Sequence, residues 1–300
     1  MFLVPGSGNK PLGREIASIT NCDVVDFETR RFPDGERYIR FVDDVPKETA
    51  IIVQSFGGAP DDLMVELIFL CKTLQDLGAR KLIGVFPYLP YLRQDTRFKP
   101  GEAVSAQIMA SIIEFASISH ILTVDPHLHR ISEPNEVFNV PTASLSAMPA
   151  LASYLKKNYQ LKDPIVVAPD VEAAQWAAKV ASVLGTDFYT LEKTRLDDSS
   201  VHVKSKRVDP VGRDVILVDD IISTGGTIAQ VASQFRRKGV ARIYALITHG
   251  LLADGAYEKV SKAGIDALIM TNTVPNPYCK VTVAPVIVQT LNDLRTSNTT

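Results

Sequence analysis

Short apolar runs alternate with amphipathic stretches along nearly the whole chain. Runs rich in β-branched and aliphatic residues at 2–4, 23–27, 51–54, 82–86 and 121–124 predict strands. A brief, continuous apolar run suits a strand covered on both faces of a parallel sheet. Apolar residues spaced three and four apart predict helices over 10–19, 61–77 and 102–115. A second series follows: helix 147–158, strand 165–168, helix 171–184, strand 188–191, strand 215–218, helix 228–238, strand 243–247, helix 253–263 and strand 267–270. Strand–helix alternation of this kind means α/β with mainly parallel sheets.

The two series resemble each other. ILTVDPH at 121–127 and VILVDDI at 215–221 are both apolar strands that run into acid. LIGVFPY at 82–88 and IVVAPDV at 165–171 match as strands with a proline near the carboxyl end. A duplication follows: two doubly wound domains, 1–143 and 144–300, joined near 140–149. In such sheets ligands bind beyond the carboxyl ends of the strands, and the chemically unusual residues of this chain fall at those predicted ends. The polar tail 295–300 reads as frayed. Trp176, among alanines on a helix, reads as core.

Composition narrows the classes. With 300 residues, 46% of them hydrophobic and 22% charged, the chain can fill two cores. A net charge of −2 argues against non-specific nucleic-acid binding, which needs a basic face. Cys22, Cys71 and Cys279 are far apart and odd in number, which suits three free thiols in a reducing compartment. MFLVPGSGNK is too short in its apolar part for a signal peptide, and no apolar run approaches a membrane span. The expectation is a cytoplasmic protein with no membrane or nucleic-acid partner.

The richest chemistry lies in DVILVDDIISTGGTI, residues 214–228. A buried strand over 215–218 is expected to end at Asp219 and Asp220, followed by Ser223, Thr224, Gly225, Gly226 and Thr227 and then a helix. The start of a helix carries unpaired N–H groups and the positive end of its dipole. Glycines let an anion approach the backbone, and hydroxyls add donors. The two acids would repel a phosphate, so they suit sugar hydroxyls or a metal. Together these groups describe a sugar phosphate held at both ends. No Gly-Lys-Ser/Thr follows the glycines, so this is not a Walker loop.

Other segments are weaker when read from their residues. RFPDGERYIR at 31–40 reads as an ordinary hairpin with a solvated charge pair. PYLPYLRQDTRFKPGE at 87–102 is too long for a tight turn, and Arg93, Arg97 and Lys99 offer cations to a polyphosphate. DPHLHR at 125–130 places two histidines beside an acid, either to ligate a metal or to orient one; no third clear ligand lies near. Asp170 ends the strand at 165–168. Lys193 and Arg195 open a polar stretch to Arg213 whose composition predicts a mobile loop. Gly6-Ser7-Gly8-Asn9 reads as a turn with a helix cap, and His249-Gly250 as structural residues after a strand.

Segment 219–227 resembles the phosphoribosyl-diphosphate (PRPP) loop of phosphoribosyltransferases and PRPP synthases. Five matched segments between 32 and 227 identify the chain as similar to the ribose-phosphate diphosphokinase family. The resemblance implies type I phosphoribosyltransferase-like domains and transfer of the β,γ-diphosphoryl group of ATP to ribose 5-phosphate. It implies that Phe32, Asp34, Gly35, Glu36, Arg93, Gln94 and Asp95 bind ATP, the 32–36 loop across a subunit boundary in a homo-oligomer. It implies that Asp219, Asp220, Ser223, Thr224, Gly225, Gly226 and Thr227 bind ribose 5-phosphate. Mg²⁺ would lie near His127 and Asp170, and Lys193 and Arg195 would be catalytic. His129 has no assigned role. The chain departs from the family pattern at Pro126, at Ser223-Thr224 and at 171–174, where Val-Glu-Ala-Ala replaces a glycine-rich turn. The first two departures look more like the archaeal-type branch. A PRPP-using phosphoribosyltransferase and a non-catalytic PRPP-synthase-like subunit are the alternatives.

Overall fold

The apolar runs become strands because parallel neighbours pair with them along their edges and helices cover the faces of the sheet. The computed structural model describes all residues except 129, 130, 132, 192–208, 254 and 298–300. They form two units. The first unit contains, in chain order, β1 (Phe2–Pro5), α1 (Lys10–Thr20), β2 (Asp23–Val24), β3 (Phe27–Arg31), β4 (Arg37–Phe41), β5 (Thr49–Val53), α2 (Pro60–Asp76), β6 (Lys81–Phe86), α3 (Ser105–Phe115), β7 (His120–Val124) and β8 (Thr142–Leu145). Six of these strands make one parallel sheet in the order β2-β1-β5-β6-β7-β8. Leu3, Val4, Ile52, Val53, Val85 and Phe86 are buried within it. β3 and β4 stand apart as an antiparallel hairpin.

The second unit contains α4 (Met148–Asn158), β9 (Ile165–Ala168), α5 (Ala174–Leu184), β10 (Phe188–Thr190), β11 (Asp214–Ile222), α6 (Gly226–Arg237), β12 (Arg242–Gly250), α7 (Ala256–Lys262), β13 (Ala267–Thr271) and β14 (Cys279–Val281). Its sheet is parallel, in the order β10-β9-β11-β12-β13-β14. Counting only the six sheet strands of each unit, both orders read 2-1-3-4-5-6. The expected duplication is therefore present as topology. In each sheet the chain winds in opposite senses on either side of the first and third strands, between β1 and β5 and between β9 and β11. That is the switch point at which such sheets open a crevice. Trp176 is buried with Val166, Val180 and Ile216 in the core between α5 and the sheet.

The last helix, α8 (Ala284–Ser297), packs against α1. The units are therefore Met1–Ser146 with Thr273–Pro275 and Thr282–Thr300, and Ala147–Asn272 with Asn276–Val281. The expected division at 143/144 places the turn near the chain's middle but assigns the C-terminal helix to the second half. Burial of Ile287, Val288 and Leu291 carries that helix back to the first unit, at about 1.5–3 kcal/mol per side chain. Arg295, expected to begin a frayed tail, lies in α8. The expected strand 23–27 is two elements: Asp23–Val24 joins the sheet, and Phe27 opens the hairpin. β8 occupies the stretch read as a joint. Among the described residues no helix is long and apolar enough to cross a membrane.

Candidate active site

β11 runs on past its expected end. Val215 to Leu217 pair with β9 on one side, whereas β12 flanks the strand to Ile222 opposite Gly250. β9 stops at Ala168. From Asp219 onward, then, β11 has a neighbour on one side and a crevice on the other. Asp219 and Asp220 lie inside the strand rather than at its end, and His249 lies inside β12, fully buried. Asp220 is buried and Asp219 half-buried. The Asp220 N–H donates to the Asp219 carboxylate at 3.0 Å. Burial first, then the charges of Asp220 and Asp170, push the Asp219 carboxyl well above the usual carboxylate range. Asp170, following β9, accepts the Ala173 N–H at 3.1 Å and so closes the turn before α5. That turn explains why α5 begins at Ala174 and not at 171.

The segment after β11 is braced by the segment after β12. The Ile222 carbonyl accepts the N–H groups of Leu251 and Leu252, at 3.0 and 3.2 Å, and the Ser223 carbonyl accepts that of Ala253 at 3.0 Å. Gly225 caps α6 with φ at 71°. A Cβ there would meet the Val260 side chain at 2.7 Å and the Ala256 carbonyl at 3.2 Å, so glycine is required both by the backbone and by packing on α7. A Cβ on Gly226 would meet only the Thr224 hydroxyl, at an ordinary 3.9 Å. Among the described residues no side chain caps α6 and no acid stands in its first turn, while Arg236 and Arg237 stand in its last. The first N–H groups of α6 are thus available to an anion. Ser223 is half-buried, and Thr224 and Thr227 are exposed around them. Asp170, Asp219, Asp220 and residues 223–227 are brought together at one switch point.

Among the described residues no group of three or more His, Cys, Asp or Glu side chains is set to hold a metal ion. The donor chemistry nevertheless suits Mg²⁺, which is held by one or two carboxylates and completes its octahedron with water and substrate phosphate. The raised proton affinity of Asp219 marks a place short of positive charge.

In the first unit, Phe32, Asp34, Gly35 and Glu36 form the exposed tip of the β3–β4 hairpin. The Phe32 N–H donates to the Glu36 carbonyl at 2.8 Å, and the Glu36 N–H to the Asp34 carboxylate at 3.2 Å. The Arg30 guanidinium lies over the rings of Phe32 and Tyr38, at 4.6 and 4.3 Å. The 87–104 segment is pinned by Glu102, whose carboxylate accepts the N–H groups of Phe98 and Lys99 and whose carbonyl accepts Arg97. That use of Glu102 explains why α3 begins at Ser105 rather than at 102. Arg93 is exposed, and Gln94 and Asp95 half-buried, beside the start of α3. His127 is half-buried two residues beyond Asp125, whose φ is 37° and whose carboxylate accepts the Ser146 hydroxyl at 2.7 Å. Lys193, Arg195 and His129 lie outside the described residues.

Sequence reasoning missed Glu66 and Arg37. Glu66 lies on the buried stripe of α2 with Leu63, Met64, Leu67 and Leu70 and is fully buried. Its signal was an acid at an apolar helix position, one turn from Leu63 and from Leu70.

Paired acids on a strand lead into an uncapped helix at a switch point, which sets an anion site beside hydrogen-bond acceptors, and the chain is of the phosphoribosyltransferase-type α/β class. Residues 139–278 match the phosphoribosyl transferase domain, and residues 1–116 match the N-terminal domain of ribose phosphate pyrophosphokinase. The ribose-phosphate pyrophosphokinase of Methanothermobacter thermautotrophicus is 38% identical over 97% of this chain and 100% of its own. That of Sulfolobus acidocaldarius is 35% identical over 95% and 97%. The crystal structure of phosphoribosylpyrophosphate synthetase from Mycobacterium smegmatis matches with a TM-score of 0.88 at 28% identity, over 99% of both chains. The chain belongs to the ribose-phosphate pyrophosphokinase family and is an enzyme, a transferase of nucleotide biosynthesis.

Proposed function

We propose that the chain transfers the β,γ-diphosphoryl group of Mg-ATP to the 1-hydroxyl of ribose 5-phosphate, giving PRPP and AMP. The observation that carries this reading is the pairing of Asp219 and Asp220 with the uncapped start of α6. N–H groups at 226–228 and the hydroxyls of Ser223, Thr224 and Thr227 take the 5-phosphate. Asp219 and Asp220 take the ribose hydroxyls, which orients the 1-hydroxyl. Phe32 offers a face to adenine, and Asp34 and Glu36 offer acceptors to its amine. Arg93, Gln94 and Asp95 place the polyphosphate.

The 1-hydroxyl oxygen attacks the β-phosphorus and gives up its proton to solvent, and the bond from that phosphorus to the α,β-bridging oxygen breaks, that oxygen leaving with AMP. Catalysis is then mostly alignment and charge neutralisation. Asp170 and His127 are the residues this reading assigns to Mg²⁺, which when bound would neutralise phosphate oxygens. Lys193 and Arg195 donate to the bridging and leaving oxygens. The protein works in the cytoplasm as a homo-oligomer, the 32–36 loop completing a neighbour's nucleotide site. The test is AMP release from Mg-ATP, expected only when ribose 5-phosphate is present. ATP consumption that ignores ribose 5-phosphate would overturn the reading.

A further inference from the structure

The β1/β5 crevice stands at the same topological position in the first sheet as the β9/β11 crevice in the second. It is filled differently. A Cβ on Gly8 would collide with the Ser55 carbonyl and one on Gly6 with the Gln54 side chain, so neither position has room for one. α2 starts here with Asp61 and Asp62 in its first turn, which already offset the helix dipole. The anion of this crevice belongs to the protein. Glu66 accepts the Ser7 N–H at 2.9 Å, the Ser7 hydroxyl at 2.8 Å, the Gln54 amide at 3.0 Å and the Arg37 guanidinium at 2.7 Å. A carboxylate taken out of water persists only when paired and fully hydrogen-bonded, and four donors meet that need.

Arg37 directly follows Glu36, the last residue of the hairpin tip. The same guanidinium nitrogen donates to the Thr29 hydroxyl of the opposite strand at 3.0 Å. Phe27 is buried at the hairpin's base, while the tip, residues 32–36, is exposed beside α2. A solvent-open crevice of about 500 Å³, lined by Arg31, Glu36, Arg37, Asp62 and Phe69, lies between them. The second tether, Arg31 to Asp62, joins side chains that are 47% and 53% exposed, and such pairs hold little. The direction of the tip therefore depends on Arg37, and Arg37 depends on Glu66.

We propose that Glu66 is a positioning residue for the nucleotide. It serves as a built-in anion at the first sheet's switch point, fixes Arg37, and thereby sets the 32–36 loop in its ATP-binding geometry. The proposal rests on reading that loop as an ATP contact.

Steady-state kinetics of the full chain test it with Phe32→Ala, Glu66→Gln and the double variant Glu66→Gln/Arg37→Met. Glu66→Gln is expected to raise KM for ATP about tenfold, the scale of a misplaced binding element. KM for ribose 5-phosphate and kcat at saturating ATP should stay within about twofold of the parent on the same reasoning. The double variant leaves no orphaned buried charge. It should recover the parent's thermal midpoint yet keep the raised KM for ATP, and it decides the matter if Glu66→Gln does not fold. A double variant that restores both, or a Glu66→Gln that melts lower with KM for ATP unchanged, makes Glu66 merely structural and overturns the proposal. Phe32→Ala with unchanged KM for ATP overturns the reading of the loop itself. Phe32→Ala that raises it while Glu66→Gln does not sinks the positioning role alone.

Discussion

The Asp220 N–H donates to the carboxylate of Asp219 at 3.0 Å, so consecutive acids on β11 are held together beside a crevice that Asp170 also charges. Three acidic side chains beside one crevice are a poor arrangement for stability and a good one for a ligand with sugar hydroxyls and a cation. The conflict makes the site testable without substrate.

The Asp219 carboxyl binds its proton more tightly in the folded chain than in the unfolded one. Its contribution to stability is full below pH about 4, the unfolded value, and is lost as pH rises through the folded value. Asp219→Asn removes the charge and keeps the shape. Without ligand, the variant should be the more stable at pH 8, by about 1 kcal/mol or ~2–4 °C. That advantage should shrink toward pH 4, and PRPP formation should be lost. Thermal melts across pH check it; an advantage that does not change with pH contradicts the placement of the acids.

Gly225 and Gly226 are adjacent, yet their alanine variants should behave oppositely. Gly225→Ala puts a Cβ into the left-handed region and against Val260. It should cost about 2 kcal/mol or more, read from the fluorescence of Trp176, the single tryptophan. Gly226→Ala meets nothing closer than the Thr224 hydroxyl at 3.9 Å, so its stability should stay within about 0.5 kcal/mol of the parent. Its KM for ribose 5-phosphate should rise about tenfold, because the methyl group stands where the phosphate approaches. A normal KM in Gly226→Ala would move the phosphate away from the start of α6.

Lys193→Ala should keep both KM values near those of the parent and lower kcat by roughly 10²- to 10³-fold, the usual effect of removing a donor to transition-state charge. Equal losses in binding and turnover would instead make Lys193 a ground-state contact.

Asp214 provides a contrast at the opposite end of β11. It is fully buried and accepts the Lys162 N–H at 2.7 Å and two nitrogens of Arg242 at 2.7 and 3.1 Å. Asp214→Ala should cost about 1–3 kcal/mol in urea denaturation, because the buried partners lose their acceptor while Arg242 can turn to water, with KM values unchanged at 25 °C. A stable variant would mean that the Arg242 pair adds little to the fold.

The strand core of β11 was legible because Val215, Ile216, Leu217 and Val218 are apolar and mostly β-branched. Its end was not, because Asp219 to Ile222 remain a strand only through pairing with β12, a partner that no local pattern names. The start of α6 was legible within two residues because Gly225 and Gly226 mark it. α8 was missed because Val286, Ile287 and Val288 carry little helical signal until α1 covers them. Glu66 went unread because its donors come from Ser7, Arg37 and Gln54, all at least twelve positions away.

By itself the sequence determined the α/β class, the internal duplication and the acid–hydroxyl–glycine pattern of the 219–227 segment, since these rest on residue type and spacing along the chain. Only the tertiary structure decided where β11 ends, which unit receives the last helix and what lies in the first switch point. Those depend on groups far apart in the chain meeting at hydrogen-bond or van der Waals distance, and the free energy of such contacts leaves no local pattern to read.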